Sequence, residues 1–378
     1  MLSAITICYF AQLHRPGNAP TVPISSQMAH INGQDSPINT ANRDNDPRFT
    51  ALVAWLKHVP GFSAAALAPA SGDASFRRYF RLQSGQQTRI VMDAPPPQED
   101  CVPFVEIAAF LRDMGLNGPE VLQADIEQGF LLLSDLGQRQ YLGELTARPA
   151  VAGKLYRDAI NALIKMQHEG RRFQDKLPIY DEPLLRKEMS LFHDWLCERH
   201  LGIEFSSDDE RQWSECCAVL VGSALAQPAV FVHRDYHSRN LMLTAENNPG
   251  ILDFQDAVLG PFTYDLVSLL RDCYIRWPED QVHAWALEFY GVLDGSIRAA
   301  IERETFLRFF DLMGVQRHLK AAGIFARLLH RDGKPGYMGD VPRTLQYVVD
   351  VSLRYPEIRF LAKLIEQRCM PLLLASAS

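Results

Sequence analysis

The sequence lacks the features that mark membrane, secreted and zinc-binding proteins. No apolar run reaches the ~18 residues that a membrane-spanning helix needs. No Lys or Arg precedes the apolar residues 1–13, as a secretory signal would require. The seven cysteines are scattered without C-x-x-C spacing, which indicates neither a disulfide framework nor a zinc site. We therefore expect a protein of the reducing cytoplasm with no membrane association.

The sequence also has fewer basic than acidic residues. The chain has 38 Lys and Arg against 45 Asp and Glu, which gives a net charge of −7. This balance disfavours a protein that coats nucleic acid, and nothing in the sequence indicates an obligate protein partner. Hydrophobic residues make up 47% and charged residues 22% of the chain, as is typical of globular proteins.

The pattern along the chain predicts three regions. Residues 1–47 are predicted to form a disordered extension, because residues 15–47 are rich in Pro, Asn, Ser and Gln and contain few large apolar residues. Residues 48–137 read as a helix, a hairpin, a second helix and two more strands, and form the expected N-terminal lobe. Residues 138–378 contain long helical patterns, among them residues 306–330, around a short β-rich stretch at 231–254. The predicted fold class is therefore α+β, with a small antiparallel sheet followed by a larger, mainly helical lobe.

The chemistry is concentrated in the β-rich stretch. Asp235 and Asn240 lie in the string HRDYHSRN, and Asp253 follows after a strand and a turn in ILDF. Phosphoryl transfer from a nucleotide needs one carboxylate to accept the proton of the attacking hydroxyl, and an Asn and a second Asp to hold Mg²⁺. This pattern resembles the protein kinase-like superfamily, with its H-R-D-x-x-x-x-N loop and D-F-G motif. The resemblance implies a two-lobed kinase-like fold, ATP and Mg²⁺ as cofactors, Asp235 as the base, and Asn240 and Asp253 as metal ligands.

The residues after Asp253 indicate a small-molecule substrate. Asp265 follows so closely, and without an A-P-E motif, that there is no room for the activation segment on which protein kinases dock peptides. The G-P-x-x-x-D-L string resembles the aminoglycoside phosphotransferase family. That resemblance implies that Asp265 braces the catalytic loop, with His233 as further structural support. Independently of the family, Asp265 also suits the N-terminus of a helix.

A closer resemblance rests on three further strings. GDASFRRYFR at 72–81, VMDAPPP at 91–97 and QRHLK at 316–320 with GIFARL are similar to the anomeric N-acetylmuramate/N-acetylglucosamine kinases of bacterial cell-wall recycling. The resemblance covers about residues 50–370. It implies an ATP-dependent phosphotransferase that phosphorylates the anomeric hydroxyl of an amino sugar to give the 1-phosphate.

One position departs from the kinase pattern. Met92 stands where protein kinases carry the phosphate-binding Lys of their third strand. Strand alternation places Arg78 on one face with the apolar residues Phe76, Phe80 and Leu82. We therefore favour Arg78 as the replacement, with a partly buried surface arginine as the alternative. The other nucleotide-binding candidates that the resemblance implies are Gly72, Ser75, Glu106, Asp135 and Leu136.

The acceptor site is predicted from charge. Residues 314–343 carry an excess of basic side chains within an acidic chain, and Arg317 and Lys320 fall on one side of a helix. They are candidates for binding an anionic substrate such as the lactyl carboxylate of N-acetylmuramate, and the alternative is a solvated helical face. Four residues beside the catalytic groups are candidates for binding sugar hydroxyls: His237, Arg239, Gln255 and Asp256.

Two other functions remain open from the sequence. The first is a different small-molecule kinase of this fold, acting on an aminoglycoside, choline or homoserine, although the basic stretch disfavours a cationic acceptor. The second is a nucleotide-binding pseudokinase, which the missing Lys suggests and the retention of Asp235, Asn240 and Asp253 disfavours.

Overall fold

The computed structural model describes residues 46–59, 66–72 and 76–376. The predicted extension therefore lies outside the described residues, except for Asp46 and Pro47. The described chain forms two units: one holds the residues up to Val105 together with Glu120–Asp135, and the other holds Glu106–Pro119 and Leu136–Ser378. The predicted end of the first lobe near residue 137 lies close to the second boundary, whereas most of the helix that we assigned to this lobe is grouped with the second unit.

The first unit is an antiparallel sheet covered by one helix. The five strands run in the order β1-β2-β3-β5-β4. Helix α1 packs on the sheet because Leu52 and Leu56 join Phe80 and Leu82 in one buried cluster. This confirms the predicted buried positions of Phe80 and Leu82, whereas Phe76 precedes β2 and is exposed. The elements of this unit are α1 (Pro47–Lys57), β1 (Ala66–Gly72), β2 (Arg78–Ser84), β3 (Gln87–Asp93), β4 (Val121–Asp125) and β5 (Phe130–Ser134). Helix α2 (Val102–Asp113) begins in this unit and continues in the second from Glu106.

The second unit is mainly helical, as predicted. Its early helices are α3 (Tyr141–Ala147), α4 (Ala152–Glu169), α5 (Glu182–Leu191) and α6 (Ser207–Leu225). Its later helices are α7 (Tyr264–Leu270), α8 (Glu279–Val292), α9 (Gly295–Ala300), α10 (Arg303–Asp332), α11 (Val341–Ser352), α12 (Arg359–Leu364) and α13 (Met370–Ser376). Helix α10 is 30 residues long and contacts α5, α6, α7 and α11. It is therefore the central element of this unit.

Two short strand pairs frame the chemical motif within the second unit. Strand β6 (Ala229–Val232) pairs with β9 (Val258–Pro261), and β7 (Leu241–Met242) pairs with β8 (Gly250–Ile251), both antiparallel. Residues 233–240 connect β6 to β7, and Asp253 follows β8. Because Phe231, Val232, Leu241 and Ile251 are fully buried, both ends of the loop are anchored in the core.

One glycine sets how closely α10 and α5 approach. A Cβ atom at Gly323 would lie 2.2 Å from the carbonyl carbon of Leu191 and 2.4 Å from the backbone nitrogen of Phe192. Backbone atoms cannot move aside without shifting the helix. We expect Gly323→Ala to lower the free energy of unfolding by about 1–3 kcal/mol, as overpacking does, in chemical denaturation.

Gly222→Ala in α6 is the matched control. Its Cβ would meet no atom within 4 Å, so alanine should leave stability unchanged or raise it by up to about 1 kcal/mol. Equal stability of the two variants would contradict the close approach of α10 to α5.

No helix in the described ranges is long and apolar enough to cross a membrane.

Candidate active site

The three residues predicted to carry phosphoryl transfer lie together in the second unit. The Asn240 amide nitrogen Nδ2 donates to the backbone oxygen of Asp235 at 3.0 Å and to Oδ2 of Asp253 at 3.2 Å. Two turns shape the loop, since the N–H of His237 donates to the oxygen of Asp235 and the N–H of Asn240 to the oxygen of His237. The N–H of Leu252 donates to the oxygen of Asn240 and joins the end of the loop to the residues after β8. Asn240 thus links the loop that holds the candidate base Asp235 to Asp253, which follows β8.

Asp265 lies at the start of the catalytic loop. Its carboxylate, in the first turn of α7, accepts the backbone N–H of His233 at 2.6 Å and that of Arg234 at 2.9 Å. Arg234 has φ +80°, a left-handed conformation that costs a non-glycine residue about 1–2 kcal/mol. The two hydrogen bonds hold this turn, which is the bracing role that the family resemblance implies for Asp265. Burial raises the pKa of Asp265 to about 7, although these two N–H donors and Arg317 lower it.

His233 supports the loop through its ring. The backbone N–H of Asp235 donates to Nδ1 of His233 at 3.2 Å. Burial lowers the pKa of His233 to about 4, although the negative charge of Asp235 raises it. The ring is therefore neutral at neutral pH and keeps the acceptor that this contact needs.

Asp253 occupies a second left-handed position, with φ +60°. Its Oδ1 accepts from Nε2 of Gln255 at 2.8 Å and its Oδ2 from Asn240, while Nε2 of Gln255 also lies 3.3 Å from Oδ2 of Asp256. A non-glycine residue persists in this conformation only when its surroundings hold it, as these side chains do here.

The oxygen atoms around Asp253 suit a hard divalent cation. The Asn240 amide uses its nitrogen for both hydrogen bonds, which leaves its oxygen as a ligand atom. The buried oxygen Oε1 of Gln255 has no hydrogen-bond partner in the described part of the chain. One carboxylate and amide oxygens, completed by water and phosphate, are the ligands that Mg²⁺ uses. The residues present therefore fit a magnesium ion.

Four cationic or titratable side chains surround Asp235. Burial raises the pKa of this carboxyl group. The combined opposite effect of Lys320, His237, Arg234 and Arg317 is larger, so the pKa of Asp235 lies below its ordinary value. Asp235 is therefore ionised at neutral pH. It is 6% exposed, which leaves it little contact with water.

The basic residues of α10 are not a solvated face. Arg317 is 9%, Lys320 6% and Arg327 1% exposed, which excludes that alternative for these three positions. Lys320 contacts Glu188 and the hydroxyl of Tyr264, both at 3.0 Å. Arg317 lies over the ring of Tyr264, and its guanidinium donates to the oxygen of Arg234 at 3.2 Å.

Sequence reasoning missed the carboxylate at the centre of this cluster. Glu188 accepts from Arg234, Lys320 and Tyr180, and from Gln316 at 3.2 Å. Burial raises the pKa of Glu188, but the opposite effect of Lys320 and Arg234 is larger and brings this pKa down to about 2. Leu185, Glu188 and Met189 share the buried face of α5. A carboxylate on an apolar helical face signals a buried cation and could have identified Glu188.

A second missed carboxylate holds the middle of the loop. Asp272 accepts the backbone N–H of Ser238 at 3.0 Å as well as its hydroxyl, and the N–H of Tyr274 at 2.9 Å. Asp272 follows α7 and no motif marks it in the sequence. Together, Asp265 and Asp272 hold the loop by its backbone, which fixes where Asp235 and Asn240 lie.

His237 and Arg239 lie half-buried in the same loop. Nδ1 of His237 is a buried atom without a hydrogen-bond partner among the described residues. Burial lowers the pKa of His237, with Arg317 and Arg239 acting in the same direction and Asp272 and Asp235 opposing it. The ring is therefore neutral and has a polar atom to offer to a ligand.

Two of the predicted nucleotide-binding residues, Arg78 and Asp135 of the first unit, have carboxylate or arginine partners. Arg78 pairs with Asp93 and Asp46, and Asp135 accepts from Nε of Arg81 at 2.7 Å. Met92 is fully buried, so it faces the core. The remaining candidates are placed as follows: Gly72 ends β1, Ser75 lies outside the described residues, Glu106 is exposed on α2, and Leu136 begins the second segment of the second unit.

This chain is similar to known proteins in sequence and in fold. The model of the phosphotransferase enzyme family matches residues 66–300. An N-acetylmuramate/N-acetylglucosamine kinase from Pseudomonas aeruginosa is 49% identical over 332 residues, which cover 85% of this chain and 97% of that relative. A protein of the same name from Neisseria meningitidis is 42% identical and covers 82% of this chain and 93% of its own length.

Solved structures confirm the predicted kinase-like α+β fold. A choline/ethanolamine kinase family protein from Mesorhizobium loti superposes with a TM-score of 0.58 at 15% identity, covering 85% of this chain and 99% of that one. An ethanolamine kinase from Plasmodium vivax gives 0.56 at 11% identity, covering 83% and 89%. At these identities the likeness concerns the fold alone. The matched residues and the two bacterial relatives show that the chain belongs to the phosphotransferase enzyme family, among the N-acetylmuramate/N-acetylglucosamine kinases, and is a phosphotransferase.

Proposed function

We propose that this enzyme transfers the γ-phosphoryl group of ATP to the anomeric hydroxyl of N-acetylmuramate or N-acetylglucosamine. The product is the sugar 1-phosphate, which serves cell-wall recycling in the cytoplasm. The names of the relatives at 42–49% identity support the acceptor. The observation that carries the chemistry is the Asn240 amide, which contacts both Asp235 and Asp253.

Asp235 acts on the acceptor hydroxyl in this proposal. Its carboxylate orients the C1 hydroxyl and accepts its proton as the sugar oxygen bonds to the γ-phosphorus and the bond to the ADP oxygen breaks. An ionised carboxylate of low pKa is a weak base. It suffices because an anomeric hydroxyl is more acidic than an ordinary alcohol.

Asn240 and Asp253 would hold Mg²⁺, which when bound neutralises charge on the phosphates. Arg317 and Lys320 add positive charge beside Asp235, where negative charge accumulates during transfer. His237, Gln255 and Asp256 are proposed to bind sugar hydroxyls. The unpartnered Nδ1 of His237 and Oε1 of Gln255 support this role.

The nucleotide-binding residues outside the loop stay predictions. Arg78 must release at least one of its carboxylate partners to bind phosphate, because Asp46 and Asp93 both contact its guanidinium. This arrangement favours the alternative that Arg78 is a structural arginine of the sheet. For Gly72, Ser75, Glu106, Asp135 and Leu136 the family resemblance is the support.

The experiment is an ADP-release assay with Mg²⁺-ATP and a panel of acceptors. We expect turnover with N-acetylmuramate and N-acetylglucosamine, an anomeric phosphate signal in ³¹P NMR of the product, and loss of turnover when Mg²⁺ is chelated. Kanamycin, choline and homoserine are the comparison acceptors and should give background release. Turnover with one of these instead would identify another small-molecule kinase.

Mg²⁺-ATP binding distinguishes the proposed kinase from the remaining alternative, a nucleotide-binding pseudokinase. A ligand that binds the native state raises the melting temperature. Stabilisation by Mg²⁺-ATP without turnover of any acceptor would favour the pseudokinase.

A further inference from the structure

Arg239 presents a guanidinium group that the described residues leave without a polar partner. The group lies 3.7 Å from the centroid of the Tyr274 ring and 5.8 Å from that of Tyr337. It forms no hydrogen bond or ion pair with any residue in the described ranges. A guanidinium that stacks on an aromatic ring keeps its N–H groups, which lie in its own plane, available to an anion. Its planar fork matches a carboxylate with two parallel hydrogen bonds.

The surroundings of Tyr274 are held in place before any ligand binds. The backbone N–H of Tyr274 donates to Asp272, and its oxygen accepts from Nη1 of Arg343 at 3.1 Å. The second ring, Tyr337, stacks on Phe325 of α10 at 5.7 Å between centroids. The two tyrosine rings therefore form an ordered platform, so that little freedom is lost when a ligand meets the arginine.

This platform adjoins the catalytic loop. Arg239 precedes the metal-ligand candidate Asn240, and its backbone oxygen accepts from Nε2 of Gln140 at 3.0 Å. The ring of His237 meets that of Tyr274 edge-on at 5.3 Å. The loop thus brings the His237 imidazole and the Arg239 guanidinium against one aromatic ring, that of Tyr274, and His237 lies close enough to Asp235 to lower its pKa. A sugar whose C1 hydroxyl reaches Asp235 would have these groups beside it.

The carboxylate next to the platform is already paired. Asp340 forms its ion pair with Arg343 at 2.7 Å, and Arg239 acts on this carboxylate through its charge alone, which opposes the rise in its pKa that burial causes. The other cations near Asp235 are engaged as well, because Lys320 contacts Glu188 and Arg317 donates to the Arg234 oxygen. Arg239 differs from both, because it is half-buried and its guanidinium N–H groups form no hydrogen bond with the described residues.

We propose that Arg239, stacked on Tyr274 beside Tyr337, is the residue that recognises the carboxylate of an acidic acceptor sugar. Arg317, which the sequence favours for this role, instead supplies charge to the reacting centre. The proposal rests on the proposed function, because it assigns the specificity of that same site. N-acetylmuramate carries the carboxylate and N-acetylglucosamine lacks it, so the two sugars report the contact directly.

The test compares kcat/KM for the two sugars in the full-length enzyme. We expect Arg239→Ala to lower kcat/KM for N-acetylmuramate by about 10- to 100-fold, the value of a hydrogen bond to a charged group. The loss should fall mainly on KM, and N-acetylglucosamine should change by less than about 3-fold. Tyr274→Leu, which removes the ring, should shift the ratio in the same direction, whereas Tyr274→Phe, which keeps it, should not.

Two arginine variants serve as comparisons. Arg276→Ala removes an arginine that stacks on Tyr347 and pairs with Asp350 outside this platform, and both sugars should be unaffected. Arg317→Ala should lower turnover of both sugars alike. Equal losses for both sugars in Arg239→Ala, including complete loss, would overturn the proposal. A raised KM for ATP, or a selective loss confined to Arg317→Ala, would also overturn it. If the wild-type enzyme phosphorylates neither sugar, the proposed function itself fails.

Discussion

Replacing Asp235 by Asn is expected to lower kcat by about 10²–10⁴-fold, the contribution of a positioned general base. The amide has nearly the shape of the carboxylate, but it cannot accept the proton of the acceptor hydroxyl. The backbone contacts of residue 235 with Asn240 and His233 do not involve the side chain. The loop should therefore keep its conformation, and the loss should be one of chemistry.

The measurement pairs turnover with nucleotide binding. Asp235→Asn should show the wild-type rise in melting temperature with Mg²⁺-ATP while ADP release falls. Asp208→Asn on the surface of α6, where the carboxylate is 66% exposed, is the matched control and should keep full turnover. If Asp235→Asn retained more than a few per cent of wild-type turnover, the assignment of Asp235 as the base would be wrong.

Replacing Glu188 by Gln is expected to lower the free energy of unfolding by about 3–5 kcal/mol, the cost of leaving buried charges without their partner. Glu188 is 3% exposed and contacts both Arg234 and Lys320. A neutral amide cannot compensate two buried cations. The same change should reduce turnover, because Arg234 and Lys320 lie beside Asp235.

Chemical denaturation gives the stability difference, and pH gives a second readout. The pKa of Glu188 falls from an ordinary 4.5 to about 2 in the folded protein. Its stabilising effect is therefore complete above about pH 5 and is lost as pH falls toward the folded pKa. The difference in unfolding free energy between wild type and Glu188→Gln should narrow over that range.

Glu182→Gln on the same helix is the control, because it breaks only an exposed pair with Arg186 and should cost less than about 1 kcal/mol. A similar cost for both variants would contradict the buried role of Glu188.

Much of the fold followed from patterns that are local in the chain. The alternation of Phe80 and Leu82 predicted the buried face of β2, and the spacing of apolar residues predicted α10 within a few residues of its bounds. The division of α2 between the units was not predictable, because periodicity shows which face of a helix is buried but not against which partner.

The candidate site divides in the same way. Asp235, Asn240 and Asp253 stand within one short stretch of sequence, so their residue types and spacing indicated both their chemistry and their proximity. Glu188 and Asp272 come from other elements, and no motif connects them to the loop that they hold.

Sequence alone determined the family, the kinase-like fold and the position of the candidate catalytic motif, because each depends on residues that are neighbours along the chain. Tertiary structure decided which charges are available to a ligand. Arg317 and Arg239 are both arginines near the motif, yet folding buries Arg317 against Tyr264 and leaves Arg239 half-exposed on Tyr274. The charge of a side chain is fixed by its type, whereas its burial and its partners depend on residues that only folding brings together.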